Sequence, residues 1–296
     1  MLGTWFWKDG ELRRAEDAAA RLDDADLTQG YGCYEVLKLR SSLAYFPEFH
    51  EDRLFRSLAF LGIAHELKPG FLKAAIAALA EANGLSDANV KVIVIGRADA
   101  PAECSALCLP PIYPPADAPS RGVACLLFMG QRQFPRAKSL SLLLSTVAYR
   151  AAAARSCYEA LLVDARGRIT EGTRMNLFYA EAEAPPGGAI YTSPAAQVLE
   201  GITRRTIMEA MAAAGRPVRE RPLSLDEALS GRYAIMVSST SNRALPVSSL
   251  LGPLDPEAQG WAAELGPPFE LPRSAALDGL VRIYDEYLAA YAGAAP

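Results

Sequence analysis

A proline-rich segment in the middle of the chain limits the possible folds more than any other sequence feature. Five prolines lie between Leu109 and Gly122, in a stretch with no helical or strand periodicity. Proline has no backbone N–H, so this segment cannot continue a helix or a central strand. We therefore predict a linker here, and two domains that comprise residues 1–117 and 118–296.

Both predicted domains mix short apolar runs with helical patterns. In the first domain we predict strands at 34–39, 43–46 and 90–95, and helices at 50–61 and 71–83. In the second we predict strands at 123–128, 160–164, 176–179 and 233–237, and helices at 142–155, 202–214 and 275–292. This pattern predicts an α/β (α+β) fold with a smaller N-terminal domain and a larger C-terminal domain.

Composition excludes several classes of protein. The formal net charge is −4, which gives no basic surface for nucleic acid. The longest apolar stretches fall short of the roughly 20 residues that span a bilayer, and the N-terminus lacks a secretory pattern, so we expect a cytoplasmic protein without a membrane span. The five cysteines are scattered and there are only two histidines, which argues against a disulfide framework and a metal site. A small-molecule partner is the remaining expectation.

Lys138 is a candidate nucleophile. It stands just before the apolar residues that begin at Leu140, where an ammonium would lose part of its hydration. A neutral amine can attack an aldehyde to give a Schiff base. Taken alone, the feature is more typical of a lysine that extends to solvent along an apolar surface.

Glu171 is the acid between two predicted strands. A carboxylate at a sheet end could pair with a pyridinium nitrogen and keep a cofactor ring protonated. In isolation, the same Thr170-Glu-Gly sequence also fits an ordinary turn.

Two further segments could bind a phosphate group. A helix opens after Gly201, so the amides of Ile202 and Thr203 lie at the positive end of its dipole. The hydroxyl cluster from Ser238 to Ser241 follows a predicted strand, although such clusters also occur in ordinary polar turns.

The order and spacing of these motifs resemble the fold-type IV pyridoxal-phosphate enzymes, which include branched-chain and D-amino-acid aminotransferases and 4-amino-4-deoxychorismate lyase. The resemblance extends along nearly the whole chain. Its motifs are Gly30-Tyr-Gly-Cys-Tyr-Glu, His50-Glu-Asp-Arg-Leu, Lys138-Ser-Leu-Ser-Leu-Leu, Thr170-Glu-Gly with Asn176 following, Gly201-Ile-Thr-Arg, and Ser238-Ser-Thr followed by Leu245-Pro-Val.

The resemblance implies a role for each motif and a cofactor, pyridoxal 5'-phosphate, at the interface of the two domains. Lys138 would hold the cofactor as a Schiff base and act as acid and base, and Glu171 would pair with the ring nitrogen. The phosphate would be bound by Arg53, the amides of Ile202 and Thr203, and Thr240. Tyr34 would border the substrate, and Arg97 is a weaker candidate for its carboxylate. A homodimer is also implied.

The departures from the family pattern lie at positions where the resemblance implies contact with the substrate, and not in the residues implied to bind the cofactor. Tyr31, Ser141, Arg174 and Met175 replace residue types that are usual at these places. The segment after Arg97 lacks the arginine and histidine pair expected of D-alanine aminotransferases, so D-alanine specificity is not indicated.

Three functions are compatible with the resemblance. The favoured one is branched-chain-like transamination between an amino acid and a 2-oxo acid. The alternative is 4-amino-4-deoxychorismate lyase, which gives 4-aminobenzoate and pyruvate by elimination, and the Ser238-Ser-Thr240 cluster favours transfer over it. A binding protein without catalysis would need neither Lys138 nor Glu171.

Overall fold

A computed structural model describes residues 1–294 of the chain. These residues form two compact units. The first consists of Met1–Tyr113 together with Arg136–Ser141, and the second of Pro114–Pro135 together with the described residues from Leu142 onward. The short segment that contains Lys138 therefore packs with the N-terminal residues.

The first unit contains one antiparallel sheet and its helices. The strands are β1 (Trp5–Lys8), β2 (Glu11–Arg14), β3 (Gly32–Arg40), β4 (Leu43–Ala44), β5 (Ala88–Ile95) and β6 (Glu103–Leu109), and the helices are α1 (Ala25–Thr28), α2 (Pro47–Phe60) and α3 (Phe71–Asn83). The described strands pair in the order β2-β1-β6-β5-β3-β4.

Alternation along β3 explains the core of this unit. Cys33, Glu35, Leu37 and Leu39 share the buried face of the strand, and the last two pack against apolar residues of α2 and α3. A single acid, Glu35, thus occupies a position that the pattern reserves for apolar side chains. The apolar face of α2, which includes Leu54 and Leu58, is also buried in this core.

The second unit contains a larger mixed sheet. Its strands are β7 (Val123–Met129), β8 (Glu159–Val163), β9 (Arg168–Gly172), β10 (Asn176–Glu181), β11 (Tyr191–Thr192), β12 (Arg219–Glu220), β13 (Leu223–Ser224), β14 (Tyr233–Ser239), β15 (Arg243–Leu254) and β16 (Phe269–Glu270). Its helices are α4 (Ala118–Arg121), α5 (Leu143–Ala154), α6 (Ile202–Ala213), α7 (Leu225–Ala228), α8 (Pro256–Gln259) and α9 (Ala275–Ala294).

Parallel and antiparallel pairs both occur in this sheet. The described strands follow the order β12-β11-β10-β14-β15-β7-β8-β9-β13, and β16 pairs with β15. Strands β7 and β8 are parallel and are connected through α5, whereas β10 and β14 are antiparallel. Nearly continuous apolar sequences in β8 and β14 agree with strands that are buried on both faces.

The mixed α/β composition predicted from the sequence is confirmed, but one local prediction is wrong. The sequence places Glu171 in a connection between two strands, whereas the structure places it within β9, which pairs with β8. Thr170-Glu-Gly172 contains residue types typical of turns, and pairing with the neighbouring strand overrides that local preference.

Candidate active site

Lys138 is held at the edge of β3 by backbone hydrogen bonds. Its carbonyl accepts from the N–H of Tyr34 at 2.9 Å, and the N–H of Leu140 donates to the carbonyl of Gly32 at 2.9 Å. The Nζ atom lies 4.3 Å from the centroid of the Tyr34 ring, within cation–π range. The first unit thus brings two predicted site residues, Lys138 and Tyr34, together.

Gly32 allows this close approach of the Lys138 segment to β3. A Cβ added at Gly32 would overlap the carbonyl oxygen of Val94 and lie 2.8 Å from Cδ1 of Leu140. No other residue type fits without a shift of the backbone. The second glycine of the Gly30-Tyr-Gly motif is therefore required by space.

A buried ionic cluster lies along α2. Arg53 donates Nε to Oε1 of Glu35 and Nη2 to Oε2, each at 2.7 Å, and Nδ1 of His50 lies 2.7 Å from Oε2. Burial alone would raise the pKa of the Glu35 carboxyl, but attraction to Arg53 and the hydrogen bonds from Arg53 and His50 outweigh it and hold the pKa well below its usual range. Glu35 is therefore ionised, and Arg53 carries the balancing charge.

His50 is neutral in this cluster. Burial lowers the pKa of its imidazole, Glu35 opposes the shift, and the nearby charges of Arg53 and Lys138 add to it. The Nδ1–H therefore donates to Glu35, which leaves Nε2 as an acceptor. That Nε2 atom is buried and has no hydrogen-bond partner within residues 1–294.

Ser57 connects this cluster to Lys138. Its hydroxyl donates to the carbonyl of Arg53 at 2.8 Å and accepts from the N–H of Lys138 at 3.1 Å. His50, Arg53 and Ser57 have the spacing of one helical face, and all three are buried. Helix α2 thus fixes both the guanidinium of Arg53 and the backbone of Lys138.

Arg97 lies in a separate cluster of charges. Its Nη1 donates to Asp24 at 2.8 Å and its Nε to Glu103 at 2.9 Å, and Nη1 is 3.5 Å from Asp26. Lys8 also pairs with Glu103, at 2.7 Å. Carboxylates of the chain itself therefore already engage the Arg97 guanidinium.

In the second unit, Glu171 is nearly fully buried and is oriented by the chain next to α6. The N–H of Leu199 lies 3.3 and 3.2 Å from the two carboxylate oxygens of Glu171, and Nη1 of Arg132 lies 3.8 Å from Oε2. The carbonyl of Leu199 accepts from Nδ2 of Asn176 at 2.8 Å. Both the backbone N–H and the backbone carbonyl of Leu199 are thus hydrogen-bonded to side chains.

The N-terminus of α6 has the features of an anion site. Gly201 precedes the helix with an extended backbone and provides no side-chain cap for the free amides of the first turn. Ile202 and Thr203 are buried there. These are the two residues whose amides the sequence assigns to a phosphate.

The end of β14 adds a buried hydroxyl to this region. Ser238 pairs in register with Asn176, β14 packs against α6, and Thr240 lies in the turn that follows the strand. The Ser238 hydroxyl is buried and has no hydrogen-bond partner in the described part of the chain. Such a group costs about 1–3 kcal/mol unless a ligand or water satisfies it. Ser238 thus belongs to a strand that packs against the helix whose N-terminus carries the free amides.

Among the described residues there is no group of three or more His, Cys, Asp or Glu placed to hold a metal ion. None of the helices between residues 1 and 294 is long and apolar enough to cross a membrane.

Sequence reasoning assigned no role to several residues that the structure places around the candidate groups. They are Glu35, His50, Ser57, Arg132 and Leu199. Glu35 had a visible signal, since it is an acid on the apolar face of β3. The contacts of Arg132 and Leu199 with Glu171 join residues far apart in sequence and leave no local pattern.

The sequence matches the family model for amino-transferase class IV over residues 32–250. It is 27% identical to the D-alanine aminotransferase of Bacillus licheniformis over 254 residues, which cover 82% of this chain and 87% of that protein. It is 26% identical to a putative branched-chain-amino-acid aminotransferase of Methanocaldococcus jannaschii over 259 residues, which cover 83% and 88%.

Solved structures share the fold. The Escherichia coli branched-chain amino acid aminotransferase superposes with a TM-score of 0.77 at 20% identity and covers 97% of this chain and 94% of that one. A hypothetical aminotransferase from Mycobacterium tuberculosis, in its PLP-bound form, gives 0.75 at 19% identity and covers 97% and 99%. At these identities the structures establish the fold alone, whereas the family match covers most of the sequence. The chain therefore belongs to the class IV aminotransferases, enzymes that depend on pyridoxal 5'-phosphate.

Proposed function

We propose that the protein transfers an amino group between a branched-chain-like amino acid and a 2-oxo acid. The observation that carries this proposal is the buried carboxylate of Glu171 in the same unit as the open N-terminus of α6 and the Ser238 hydroxyl, which has no partner among residues 1–294. A binding module has no need of a buried acid next to an anion site. A pyridine ring with a phosphate needs both.

The residues present fit pyridoxal 5'-phosphate. Glu171 would pair with the ring nitrogen, because its carboxylate is ordered by Leu199 and Arg132. The amides of Ile202 and Thr203 and the hydroxyl of Thr240 would bind the phosphate. Arg53 would add a charged contact to the phosphate, and its guanidinium would then be shared with Glu35.

Lys138 would be the catalytic residue. Bound pyridoxal phosphate supplies an aldehyde that condenses with amines and a ring that withdraws electrons from the substrate α-carbon. The Lys138 amine would hold that cofactor covalently and, once displaced by the substrate, carry the proton to and from the α-carbon. Its backbone bonds to Tyr34 and Ser57 support this role by limiting the positions that Nζ can reach.

We propose that Tyr34 and Arg97 contact the substrate, and the support for Tyr34 is stronger. The Tyr34 ring lies beside the Lys138 amine, so a substrate bound to that amine would border the ring. Arg97 could bind a substrate carboxylate only in competition with Asp24 and Glu103. Arg97 is therefore the weaker candidate.

Substrate profiling tests this proposal. The protein, saturated with pyridoxal phosphate, would be incubated with L-leucine, L-valine, D-alanine or 4-amino-4-deoxychorismate, each with and without 2-oxoglutarate. We expect glutamate to form with the L-branched-chain substrates, only when the 2-oxo acid is present, and not with Lys138→Ala. Release of 4-aminobenzoate and pyruvate without a 2-oxo acid would instead identify the lyase reaction, and preference for D-alanine would contradict the branched-chain assignment.

We propose a cytoplasmic homodimer with domains at residues 1–117 and 118–296. Light scattering of the purified protein measures the oligomeric state, and limited proteolysis between Leu109 and Gly122 tests the linker.

A further inference from the structure

Asn176 contacts the two ends of a single short segment in the second unit. Its Nδ2 donates to the carbonyl of Leu199 at 2.8 Å, and its Oδ1 overlaps the position that a Cβ would take on Gly201. Both residues lie just before the start of α6. Asn176 is 6% exposed, so water does not compete freely for these contacts.

The contact at Leu199 reaches Glu171. The same residue that accepts from Asn176 donates its N–H to both oxygens of the Glu171 carboxylate. If Leu199 shifts, the donor that orients Glu171 shifts with it. Leu199 therefore links the Asn176 side chain to the Glu171 carboxylate through hydrogen bonds.

The contact at Gly201 reaches the N-terminus of α6. Gly201 has φ −63° and ψ 142°, a conformation open to any L-residue, so backbone freedom does not require glycine here. The available space requires glycine, because Oδ1 of Asn176 occupies the position that a Cβ of residue 201 would take. The absence of a Cβ lets Gly201, which directly precedes Ile202 and Thr203, lie against the Asn176 side chain.

We propose that Asn176 is a positioning residue that sets the distance and orientation between Glu171 and the anion site at the N-terminus of α6. The inference rests on the proposed function, in which these groups bind the ring nitrogen and the phosphate of one cofactor. A residue that serves only the fold would affect stability. Asn176 affects affinity at both ends of the cofactor.

Two probes separate the two ends. Pyridoxal lacks the phosphate and tests the ring end, whereas inorganic phosphate tests the helix end. Dissociation constants are measured for both, and for pyridoxal phosphate, by spectral titration and by the shift in melting temperature of the cofactor-free protein. We expect Asn176→Ala to weaken all three ligands, with a loss of about tenfold or more for pyridoxal phosphate. Thr240→Ala should weaken the two phosphate-bearing ligands and leave pyridoxal binding unchanged.

The conservative variant tests the hydrogen bond. Asn176→Asp keeps the shape of the side chain and its Oδ1 atom but replaces the amide NH2 group with a second oxygen. The ionised carboxylate therefore cannot donate to the carbonyl of Leu199. We expect it to weaken pyridoxal binding about as much as Asn176→Ala does. Wild-type affinity for pyridoxal in Asn176→Asp would overturn the proposed path through Leu199 to Glu171.

A double substitution tests the contact with Gly201. Gly201→Ala alone should weaken pyridoxal phosphate binding by about tenfold or more, because the new methyl group overlaps Asn176. In the Asn176→Ala background the same change should add less than about threefold, since the space is then open. Gly266→Ala is the matched control, because an added Cβ there meets no described atom within 4 Å.

The outcomes distinguish this inference from the proposed function. A wild-type protein that does not bind pyridoxal phosphate would contradict the proposed function and, with it, the inference. Normal binding by the wild type, combined with unchanged affinities in Asn176→Ala, would overturn the inference alone. Multiplicative losses in the double variant would overturn the role of the Asn176–Gly201 contact.

Discussion

The guanidinium of Arg53 and the carboxylate of Glu35 form a buried two-point pair, with Nε–Oε1 and Nη2–Oε2 distances of 2.7 Å. Glu35 is fully buried and Arg53 is 5% exposed. The two parallel bonds fix the plane of the guanidinium as well as its position. Glu35 thus orients a side chain that we propose to contact the cofactor phosphate.

Glu35→Gln should destabilise the protein strongly. It removes the negative charge that faces the buried cation of Arg53, and breaking a buried ion pair in this way typically costs about 3–5 kcal/mol. Urea denaturation of the cofactor-free protein measures the free energy of unfolding. Glu11→Gln, whose side chain is 73% exposed, serves as the control and should change stability by less than about 0.5 kcal/mol. Equal stability of the two variants would contradict the buried pair.

His50 should make stability depend on pH between about pH 7 and 5. Burial lowers its pKa in the folded state below the ordinary value of 6.5, and Glu35, Arg53 and Lys138 are the charged groups around it. The unfolded chain then binds a proton that the folded chain does not, so the free energy of unfolding falls as the pH drops below about 6.5. His50→Asn, which keeps a donor for Glu35, should flatten this slope. An unchanged slope in the variant would show that another group is responsible.

Arg53→Lys should separate cofactor affinity from chemistry. Lysine keeps a positive charge opposite Glu35 but lacks the planar fork of donors that can bind carboxylate and phosphate together. We expect the dissociation constant of pyridoxal phosphate to rise by about tenfold or more, with turnover at saturating cofactor reduced less. Equilibrium dialysis and steady-state kinetics give the two values. An unchanged dissociation constant would contradict the phosphate role.

Glu171→Gln should leave the fold intact and reduce turnover about a hundredfold or more. The amide is nearly isosteric and keeps an acceptor for the N–H of Leu199, but it has no charge to keep the ring nitrogen protonated. A loss of about 3–4 kcal/mol of transition-state stabilisation corresponds to this factor. Single-turnover kinetics with an accepted amino acid would measure it. Wild-type turnover in the variant would remove Glu171 from the mechanism.

The sequence predicts best those elements whose signals are local. Helix α3 ends at Asn83 and Gly84 adopts the left-handed conformation that the terminal glycine indicates. The apolar face of α2 follows directly from the spacing of Leu54 and Leu58. Periodicity and helix-capping residues suffice in both cases, because the neighbouring residues alone determine the structure.

Strand β15 depends on distant partners and is not predicted from the sequence. Strand β15 contains Pro246, Gly252 and Pro253, which argue against a strand in isolation, yet it pairs with β7 and β14. The acid at Glu35 is visible in the pattern of β3, but its partner Arg53 lies 18 residues further along the chain. The link from Asn176 through Leu199 to Glu171 also depends on the tertiary fold.

Borohydride reduction followed by peptide mapping tests the central claim most directly. The purified protein is loaded with pyridoxal phosphate, reduced, digested and analysed by mass spectrometry. We predict one pyridoxyl-phosphate adduct, on the peptide that contains Lys138, because hydrogen bonds to Tyr34 and Ser57 hold that residue in place. Lys138→Ala should give no specific adduct and no turnover. An adduct on a different lysine, or full turnover in Lys138→Ala, would contradict the assignment.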